Sequence, residues 1–473
     1  MTIDVSHPGR RRARNTGRPS AKTATLRNGC RRSSLSNTQT VGSALIAAFR
    51  LARVIGKRDV SFAGGLAASN GDAIMFLMAP PGRSAGRLGF WAASHIALGV
   101  LILLAALLAV APAMSYRLFQ ARVVASEGSA WTVAAAVLLL ATTRPTRRGI
   151  AVATLAIASI ALASVPIARA SVEARSLPER VDRAFGAATR TLRPSSVHRL
   201  APLVLWDLYR GLTLSSPAPR TLVYQRIDDA DLLMDVYRPV SDTPAPGVLV
   251  IHGGAWRGGQ RQEFSGLSRY LVERGYVVAS IDYRLAPKWT FPAQRDDVTA
   301  AVAALGAHAM EIGLDPTRLV LIGRSAGAHL ALLAAYTLHN PAVRGVVSFY
   351  GPPDLTYGYE HPADPRVFDS TASLVRFLGA RLEDRPSVYQ AASPIEFVGR
   401  STPPTLMIHG EPDELVSIEQ SRRLDRRLAE AGVPHLLVEL PWASHGCDYV
   451  LRGPCGQIST FAVERFLERA MGR

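Results

Sequence analysis

The feature that most constrains this chain is a glycine-flanked serine, Ser325, at the junction of two differently patterned segments. Residues 319–322 are all aliphatic, as in a buried strand, whereas residues 326–336 are rich in Ala and Leu, as in a helix. The pentapeptide 323–327 reads Gly-Arg-Ser-Ala-Gly. Small residues around the serine permit a tight strand-to-helix turn that projects a strained serine from the edge of a sheet. The sequence therefore predicts a nucleophile at the end of a strand.

The pattern around this turn predicts an α/β domain over residues 221–473. Short, nearly all-apolar runs, as expected for strands covered on both faces, occur at 222–227, 232–237, 247–251, 277–281, 319–322, 346–350, 405–408 and 435–440. Helical patterns occur at 296–310, 326–336, 418–431 and 460–471. This alternation indicates a mostly parallel sheet of about eight strands, whose first, closely spaced strands form an antiparallel start.

A glycine-rich loop at residues 252–256 follows the third predicted strand. Acyl transfer needs donors aimed at the developing oxyanion, and glycine lets peptide N–H groups approach that atom closely. We assign the oxyanion hole to backbone groups of Gly253, Gly254 and Ala255, joined by the N–H of Ala326. The adjacent His252 is expected to orient the loop rather than to act as a base.

An acid and a histidine follow the last two predicted strands. We assign the acid to Asp413, with Glu411 and Glu414 as alternatives, and the general base to His445. The resulting order along the chain is Ser325, Asp413, His445, which differs from the orders found in chymotrypsin and subtilisin. These three residues form the predicted catalytic triad.

These motifs together resemble the α/β-hydrolase carboxylesterases related to the hormone-sensitive lipase group. The resemblance covers about residues 221–473, and its motifs are 252–256, 282–287, 323–327, 409–416 and 444–446. With the apolar helices in front, the chain is similar to membrane-attached actinobacterial carboxylesterases. Ala255 and Arg324 stand where hormone-sensitive-lipase relatives usually have Gly and often have Asp. These differences favour the carboxylesterase branch, which includes formamidases.

The resemblance and the motifs imply a serine hydrolase that cleaves carboxylic esters of short or medium acyl chain through an acyl-enzyme. The alternatives on the same triad are an arylformamidase-like amide hydrolase and an acyltransferase, and the non-enzymatic alternative is an inert binding domain. No metal or organic cofactor is implied. The insertion at residues 351–403 is expected either to form a small lid or to pack on a neighbouring helix.

A hydrophobic region at residues 88–168 is predicted to contain two or three transmembrane helices. Residues 88–116 carry no ionisable group except His95, and residues 149–168 also have the roughly 20-residue length that a span requires. Residues 128–143 are apolar but short, so the third span stays open. Residues 169–220 are interpreted as a polar, partly helical linker.

The distribution of charge predicts the orientation in the membrane. A net +12 of the formal charge of +17 lies in residues 1–87, an arm expected to be mostly disordered. The turn at 144–148 carries three arginines and the loop at 111–127 carries two. The positive-inside rule places the arm and the turn in the cytoplasm, so three spans place the catalytic domain outside and two spans place it inside. The arm lacks a recognised reading module, so no nucleic-acid partner is expected.

Several features of the sequence stay open. Residues 41–58 form either a basic helix on an anionic membrane or a tail without a target. Translation could begin at Met75 or Met78. Cys447 and Cys455 could pair if the domain lies outside the cytoplasm. The oligomeric state is not indicated.

Overall fold

The structure of the chain, a computed structural model, describes residues 83–186, 201–211, 214, 218–227, 230–241, 243–263 and 265–472. The predictions for the arm up to residue 82, for a helix at 41–58 and for the middle of the linker at 187–200 lie outside the described residues.

An eight-stranded sheet organises the C-terminal part of the chain. Its strands are β1 (Arg220–Ile227), β2 (Ala230–Tyr237), β3 (Ala245–Ile251), β4 (Val277–Ile281), β5 (Leu314–Arg324), β6 (Val343–Phe349), β7 (Thr405–Gly410) and β8 (His435–Leu440). The order is β1-β2-β4-β3-β5-β6-β7-β8, antiparallel at both pairings of β2 and parallel elsewhere. The predicted mostly parallel sheet with an antiparallel start is confirmed.

Helices precede the sheet and cover both of its faces. They are α1 (Arg83–Val110), α2 (Tyr116–Glu127), α3 (Ser129–Ala141), α4 (Arg147–Phe185), α5 (Asp207–Arg210), α6 (Ser265–Val272), α7 (Ala293–Ala307), α8 (Ala309–Ile312), α9 (Ala326–Thr337), α10 (Leu355–Glu360), α11 (Ser370–Leu378), α12 (Pro386–Ala391), α13 (Glu419–Glu430) and α14 (Pro454–Ala470). Short 3₁₀ turns lie at Pro394–Phe397 and Cys447–Tyr449.

The central strands are buried because each contributes apolar side chains to both faces of the sheet. In β3, Leu249 belongs to the core on one face, and Val248 and Val250 belong to the core on the other. All seven residues of β3 are buried. A continuous apolar run, rather than an alternating one, is the pattern expected where helices cover both faces of a sheet.

Two helices in the N-terminal part are long and apolar enough to cross a membrane. They are α1, through Ala93–Val110, and α4. The α2 and α3 helices are bent by 70° where they meet, and together they would make a third span. The described residues therefore contain two candidate spans, or three if the bent pair is one of them.

The α4 helix does not end where the predicted linker begins. It has 39 residues and continues to Phe185, well beyond residue 168. Its last turns are held by tertiary packing, because Leu177 and Val181 are fully buried in the same core as the C-terminal helix α14. Arg180 Nη2 donates to the carbonyl of Leu437 at 2.7 Å, on the edge strand β8. The first part of the predicted linker is therefore a rigid helix docked on the domain.

A disulfide joins Cys447, just after the last strand, to Cys455 in the first turn of α14. Both cysteines are buried.

Alkylation of the denatured, unreduced protein should modify one of its three cysteines, and reduction should expose all three to the reagent. The double variant Cys447→Ser/Cys455→Ser should lose about 2–3 kcal/mol of unfolding free energy, because the short loop becomes unrestrained in the unfolded chain.

Mass spectrometry counts the alkylated cysteines, and urea unfolding of the detergent-solubilised protein measures the stability. The variant Cys30→Ser controls for loss of a thiol without loss of the bridge. Three alkylated cysteines before reduction would contradict the pairing.

Candidate active site

Ser325 occupies a strained turn between β5 and α9. Its φ of 53° and ψ of −121° lie outside the regions that L-residues ordinarily adopt. Glycine is required on both sides, since a Cβ at Gly323 would lie 2.1 Å from the carbonyl oxygen of Gly327. A Cβ at Gly327 would lie 2.2 Å from the carbonyl oxygen of Ile251. The predicted turn geometry is present, and its backbone strain is of the kind stored at functional sites.

The predicted acid and base meet at the carboxyl ends of β7 and β8. Nδ1 of His445 lies 2.7 Å from Oδ2 of Asp413. Oδ1 of Asp413 accepts hydrogen bonds from the backbone N–H groups of Leu415 at 2.8 Å and Val416 at 2.9 Å. The acid is thus held by its own loop and presents its second oxygen to the imidazole.

The electrostatic surroundings keep Asp413 ionised. Burial alone would raise the pKa of its carboxyl, but the charge of His445 and hydrogen bonds from His409 and His445 outweigh burial and lower the pKa well below its ordinary value. Nε2 of His409 lies 3.2 Å from Oδ2 of Asp413, so two imidazoles share one carboxylate oxygen. A carboxylate of this kind fixes the tautomer of His445 and stabilises its protonated form.

Ser325 and Asp413 line one cavity of about 310 Å³. Among the described residues, no hydrogen bond joins Ser325 to His445. Hydrogen bonds of this type often become short only when a substrate binds. The structure therefore brings acid and base into direct contact and places the serine on the wall of the same cavity.

Three of the four residues assigned to the oxyanion hole lie beside Ser325. Ala255 and Ala326 line the cavity with Ser325. The backbone of Gly253 approaches the turn so closely that a Cβ would lie 3.0 Å from the carbonyl oxygen of Arg324. Gly254 has a φ of 107°, which disfavours any other residue there. The loop at 252–256 and the first turn of α9 therefore both lie next to the serine.

His252 holds this loop rather than facing the cavity. Its Nδ1 lies 2.7 Å from the carbonyl oxygen of Gly253, and its ring stacks on Tyr283 with centroids 4.2 Å apart. The hydroxyl of Tyr283 donates to the carbonyl of His252 at 3.1 Å. Burial lowers the pKa of His252, which favours the neutral form that donates to the carbonyl. These contacts agree with the predicted orienting role.

A buried hydrogen-bond network that was not predicted from the sequence holds the loop at 252–256. Nε1 of Trp256 donates to Nδ1 of His329 at 3.1 Å, and Nε2 of His329 lies 2.6 Å from the carbonyl oxygen of Ala392. The Trp256 ring also stacks on Phe377, with centroids 4.4 Å apart. The network ties the loop at 252–256 to the helix behind Ser325 and to the β6–β7 insertion. Trp256 could be noted from the sequence, but its hydrogen bond to His329, 73 residues away, could not be predicted from it.

A second buried network links the serine turn to the histidine loop. Arg324, beside the nucleophile, forms an ion pair with Asp448, and both side chains are 2% exposed. The hydroxyl of Tyr350 donates to Asp448 at 2.5 Å, and its ring lies 4.2 Å from that of His445. This pairing gives a physical reason for an arginine at position 324. It joins the turn at Ser325 to the residue three positions after His445.

The two alternative acids do not contact the histidine. Asp413 is the acid that is hydrogen-bonded to His445. Glu414 instead accepts a hydrogen bond from Ser444 and pairs with Arg122 of α2. Glu411 lies 3.9 Å from the guanidinium of Arg422 and is 43% exposed.

The insertion between β6 and β7 both lines the cavity and packs against neighbouring elements. Tyr357, Phe368 and Leu374 line the cavity, as residues of a lid would. Phe377 is buried against Trp256, and Tyr359 packs on Tyr389 with centroids 5.4 Å apart.

Within the described part of the chain, no cluster of three or more His, Cys, Asp or Glu side chains is arranged to hold a metal ion.

Comparison with known proteins identifies relatives of this part of the chain. The family model described as BD-FAE matches residues 234–428. Three proteins of Mycobacterium tuberculosis are similar to the chain: esterase LipC, 35% identical over 260 residues; esterase LipQ, 34% over 233; and the probable carboxylic ester hydrolase LipM, 32% over 242. These matches cover 51%, 46% and 47% of this chain. The chain spans 63% of LipC and 54% of each of the other two.

Two solved structures are also similar to this part of the chain, at lower identity. A bacterial heroin esterase is 25% identical and matches with a TM-score of 0.48, over 55% of this chain and 86% of that protein. A truncated carbohydrate esterase from gut microbiota is 22% identical and matches with a TM-score of 0.46, over 55% of this chain and 100% of that protein. The curated relatives, together with the eight-stranded sheet, confirm the resemblance of the C-terminal part to α/β-hydrolase carboxylesterases.

The buried histidine under the oxyanion loop should make stability depend on pH. Burial lowers the pKa of His329 from 6.5 to about 4, so below pH 6.5 the unfolded chain takes up a proton that the folded chain resists. The contribution is fully present above pH 6.5 and is lost as the pH falls toward 4. Between pH 7.5 and 5.0 it should remove about 2 kcal/mol of unfolding free energy.

Urea unfolding at the two pH values measures this loss, and the variant His329→Gln should lose less over the same interval. His339→Asn, at an exposed position, is the matched control and should behave as the parent protein does. An equal pH dependence in the parent and in His329→Gln would show that this imidazole does not titrate as described.

Proposed function

We propose that this chain, whose C-terminal part is an α/β-hydrolase domain related to carboxylesterases, is a membrane-attached serine esterase. The observation that carries the proposal is the 2.7 Å contact between His445 and Asp413, beside a cavity that Ser325 also lines. A strained serine, an oriented imidazole and a glycine-rich loop are the parts that acyl transfer needs.

The first half of the proposed reaction acylates the enzyme. Oγ of Ser325 attacks the ester carbonyl carbon while Nε2 of His445 takes the hydroxyl proton. The negative charge moves to the carbonyl oxygen, which the backbone N–H groups of the glycine-rich loop and Ala326 stabilise. The bond to the alcohol oxygen then breaks, and His445 donates its proton to the departing alcohol. Asp413 stabilises the imidazolium throughout without taking its proton.

The second half regenerates the serine. A water molecule gives a proton to His445 and attacks the acyl carbon, and a second oxyanion forms in the same site. Its collapse breaks the bond to Oγ of Ser325, which recovers the proton from His445. The carboxylic acid leaves. Each step uses the same three side chains, so removal of any one should impair both halves.

The size of the cavity favours short or medium acyl chains. Its volume of about 310 Å³ is at the lower end of the range for small-molecule sites. Tyr357, Phe368 and Leu374 give part of its wall an apolar character suited to an acyl chain.

The contacts of the loop at 111–127 support three membrane crossings. Ala113 N donates to Glu414 at 3.2 Å and Arg122 Nη1 donates to the carbonyl of Pro412 at 3.3 Å, so this loop lies on the same side as the catalytic domain. If α4 crosses the membrane to reach the domain, its first residue lies on the opposite side. The chain must therefore also cross between residues 127 and 147, where α3 is the helix.

This topology agrees with the charges and with the disulfide. The arginine-rich turn at 144–148 would face the cytoplasm and the catalytic domain would lie outside. Disulfides persist mainly in such oxidising surroundings, and Cys447 is bonded to Cys455. At 13 residues α3 is short for a span, so residues next to it would have to lie within the apolar layer as well.

Replacement of the nucleophile tests the catalytic proposal. Ser325→Ala should lower kcat/KM for p-nitrophenyl butyrate by at least about 10⁴-fold in the detergent-solubilised protein, because the acyl-enzyme cannot form. Ser241→Ala, in an exposed loop, is the matched control and should keep the parent rate. Undiminished turnover by Ser325→Ala would refute the assignment.

Covalent labelling separates an enzyme from an inert binding domain. A fluorophosphonate should modify Ser325 of the parent protein and should not label Ser325→Ala. A properly folded parent protein that resists the reagent would favour the binding domain.

Accessibility of engineered cysteines tests the topology. In a Cys30→Ser background, a membrane-impermeant maleimide applied to intact spheroplasts should label Ser241→Cys and should not label Pro145→Cys. Lysis should make both positions reactive, because both are exposed. Labelling of position 145 alone in intact cells would contradict an external catalytic domain.

A further inference from the structure

We propose that Arg122, on α2 between two candidate spans, is a positioning residue for the catalytic triad. The proposal rests on the proposed function and deepens it. It makes the N-terminal helical region a structural part of the active site in addition to an attachment to the membrane.

Arg122 contacts the loop that carries the acid on both sides of Asp413. Its Nη1 donates to the carbonyl oxygen of Pro412 at 3.3 Å and forms an ion pair with the carboxylate of Glu414. The side chain of Arg122 is 5% exposed and that of Glu414 is 13% exposed. A charge pair so far removed from water holds its geometry more firmly than a surface pair does, because separating it would leave a buried charge without compensation.

The carboxylate of Glu414 carries this contact to the histidine loop. One of its oxygens pairs with Arg122 and accepts from the N–H of Ala113, and the other accepts a hydrogen bond from Ser444. Ser444 immediately precedes His445. The guanidinium of Arg122 thus holds the loop on both sides of Asp413. Through the carboxylate of Glu414 it also holds Ser444, the residue before His445.

The opposite end of α2 holds the other side of the histidine loop. Glu127, the last residue of α2, accepts a hydrogen bond from the backbone N–H of Cys455 at 2.9 Å. Cys455 is bonded to Cys447, two residues after His445. The helix is therefore connected to the chain immediately before and shortly after the base.

The cavity gives these contacts a consequence for catalysis. Ala113 and Glu414 line the same cavity as Ser325, so the helical region contributes to its wall. A displacement of about 1 Å in a reacting group can cost roughly 100-fold in rate. Arg122 restrains the loops that carry Asp413 and His445, and so the position from which the imidazole must reach Ser325.

Steady-state kinetics of the full-length, detergent-solubilised protein test the proposal. Arg122→Met removes the charge but keeps an unbranched apolar side chain, and it should lower kcat for p-nitrophenyl butyrate by about 10- to 100-fold. KM should change by less than threefold, because the lid side of the cavity is untouched. Arg122→Lys restores a cation and should recover a large part of kcat.

A second arginine provides the matched control. Arg180 also joins the helical region to the catalytic domain, since it pairs with Glu173 of its own helix and donates to the carbonyl of Leu437 in the middle of β8. Arg180→Met should lower the thermal midpoint and leave kcat within twofold of the parent value. If Arg180→Met and Arg122→Met lose kcat equally, or if Arg122→Met keeps the parent kcat, the positioning role is refuted.

The pH profile distinguishes positioning near the base from a general loss of packing. The charged and titratable groups around His445 are Asp413 with His409 behind it, Tyr350 with Asp448 and Arg324, and Glu414 with Arg122. Arg122→Met removes a cation near the active site and should move the acidic limb of kcat/KM to higher pH. Glu414→Gln removes an anion and should move that limb down. If the acidic limb of kcat/KM does not move in either variant, Arg122 contributes only to packing and the positioning role is refuted.

The outcomes separate this proposal from the esterase assignment. A parent protein that hydrolyses the ester and is labelled at Ser325, together with an equally active Arg122→Met, would overturn the positioning role alone. A parent protein that is neither active nor labelled would overturn the esterase assignment, and the positioning role with it. A double variant Arg122→Met/Glu414→Gln no slower than the slower single variant would support one shared pathway.

Discussion

The parallel pairing of β3, β5, β6, β7 and β8 is the constraint on which the rest of the structure depends. Parallel strands end at one edge of a sheet, so chain segments as far apart as the ends of β3 at Ile251 and β8 at Leu440 emerge at the same edge. The glycine-rich loop follows β3, the strained serine follows β5, Tyr350 follows β6, and the acid and the histidine follow β7 and β8. None of these loops could be brought together by local structure. The apolar strands, buried on both faces, therefore create the site as well as the core.

Buried polar networks fix the positions of the loops that the sheet brings to one edge. Trp256 and His329 support the oxyanion loop, and Arg324 and Asp448 tie the serine turn to the histidine loop. Polar groups removed from water are costly unless they are paired, so such networks tolerate few alternative arrangements. The Arg122 contact extends the same logic to a helix outside the hydrolase domain. Each network joins a loop of the site to an element that the sheet alone would not fix.

Local pattern predicted a large part of this architecture, and long-range partners were beyond it. The strands at 277–281 and 435–440 were predicted with the bounds that the structure has, because short apolar runs between turns are local signals. The fifth strand was predicted too short: it begins at Leu314, where pairing with Ala245 extends it past polar residues. The last helix begins at Pro454 rather than near residue 460, next to the disulfide. Glu414 was considered only as an alternative acid, since its partner Arg122 lies 292 residues away.

The continuity of α4 has a consequence for how the protein meets its substrates. Its 39 residues extend roughly 58 Å at about 1.5 Å per residue, nearly twice the ~30 Å hydrocarbon thickness of a bilayer. A helix of this length, docked on the domain at its far end, restrains the distance between the domain and the apolar segment more firmly than an unstructured linker would. If the chain is the membrane-attached esterase proposed above, the cavity stays at a nearly constant distance from the lipid. Esters would then be met along the membrane surface, where their local abundance matters more than their bulk concentration.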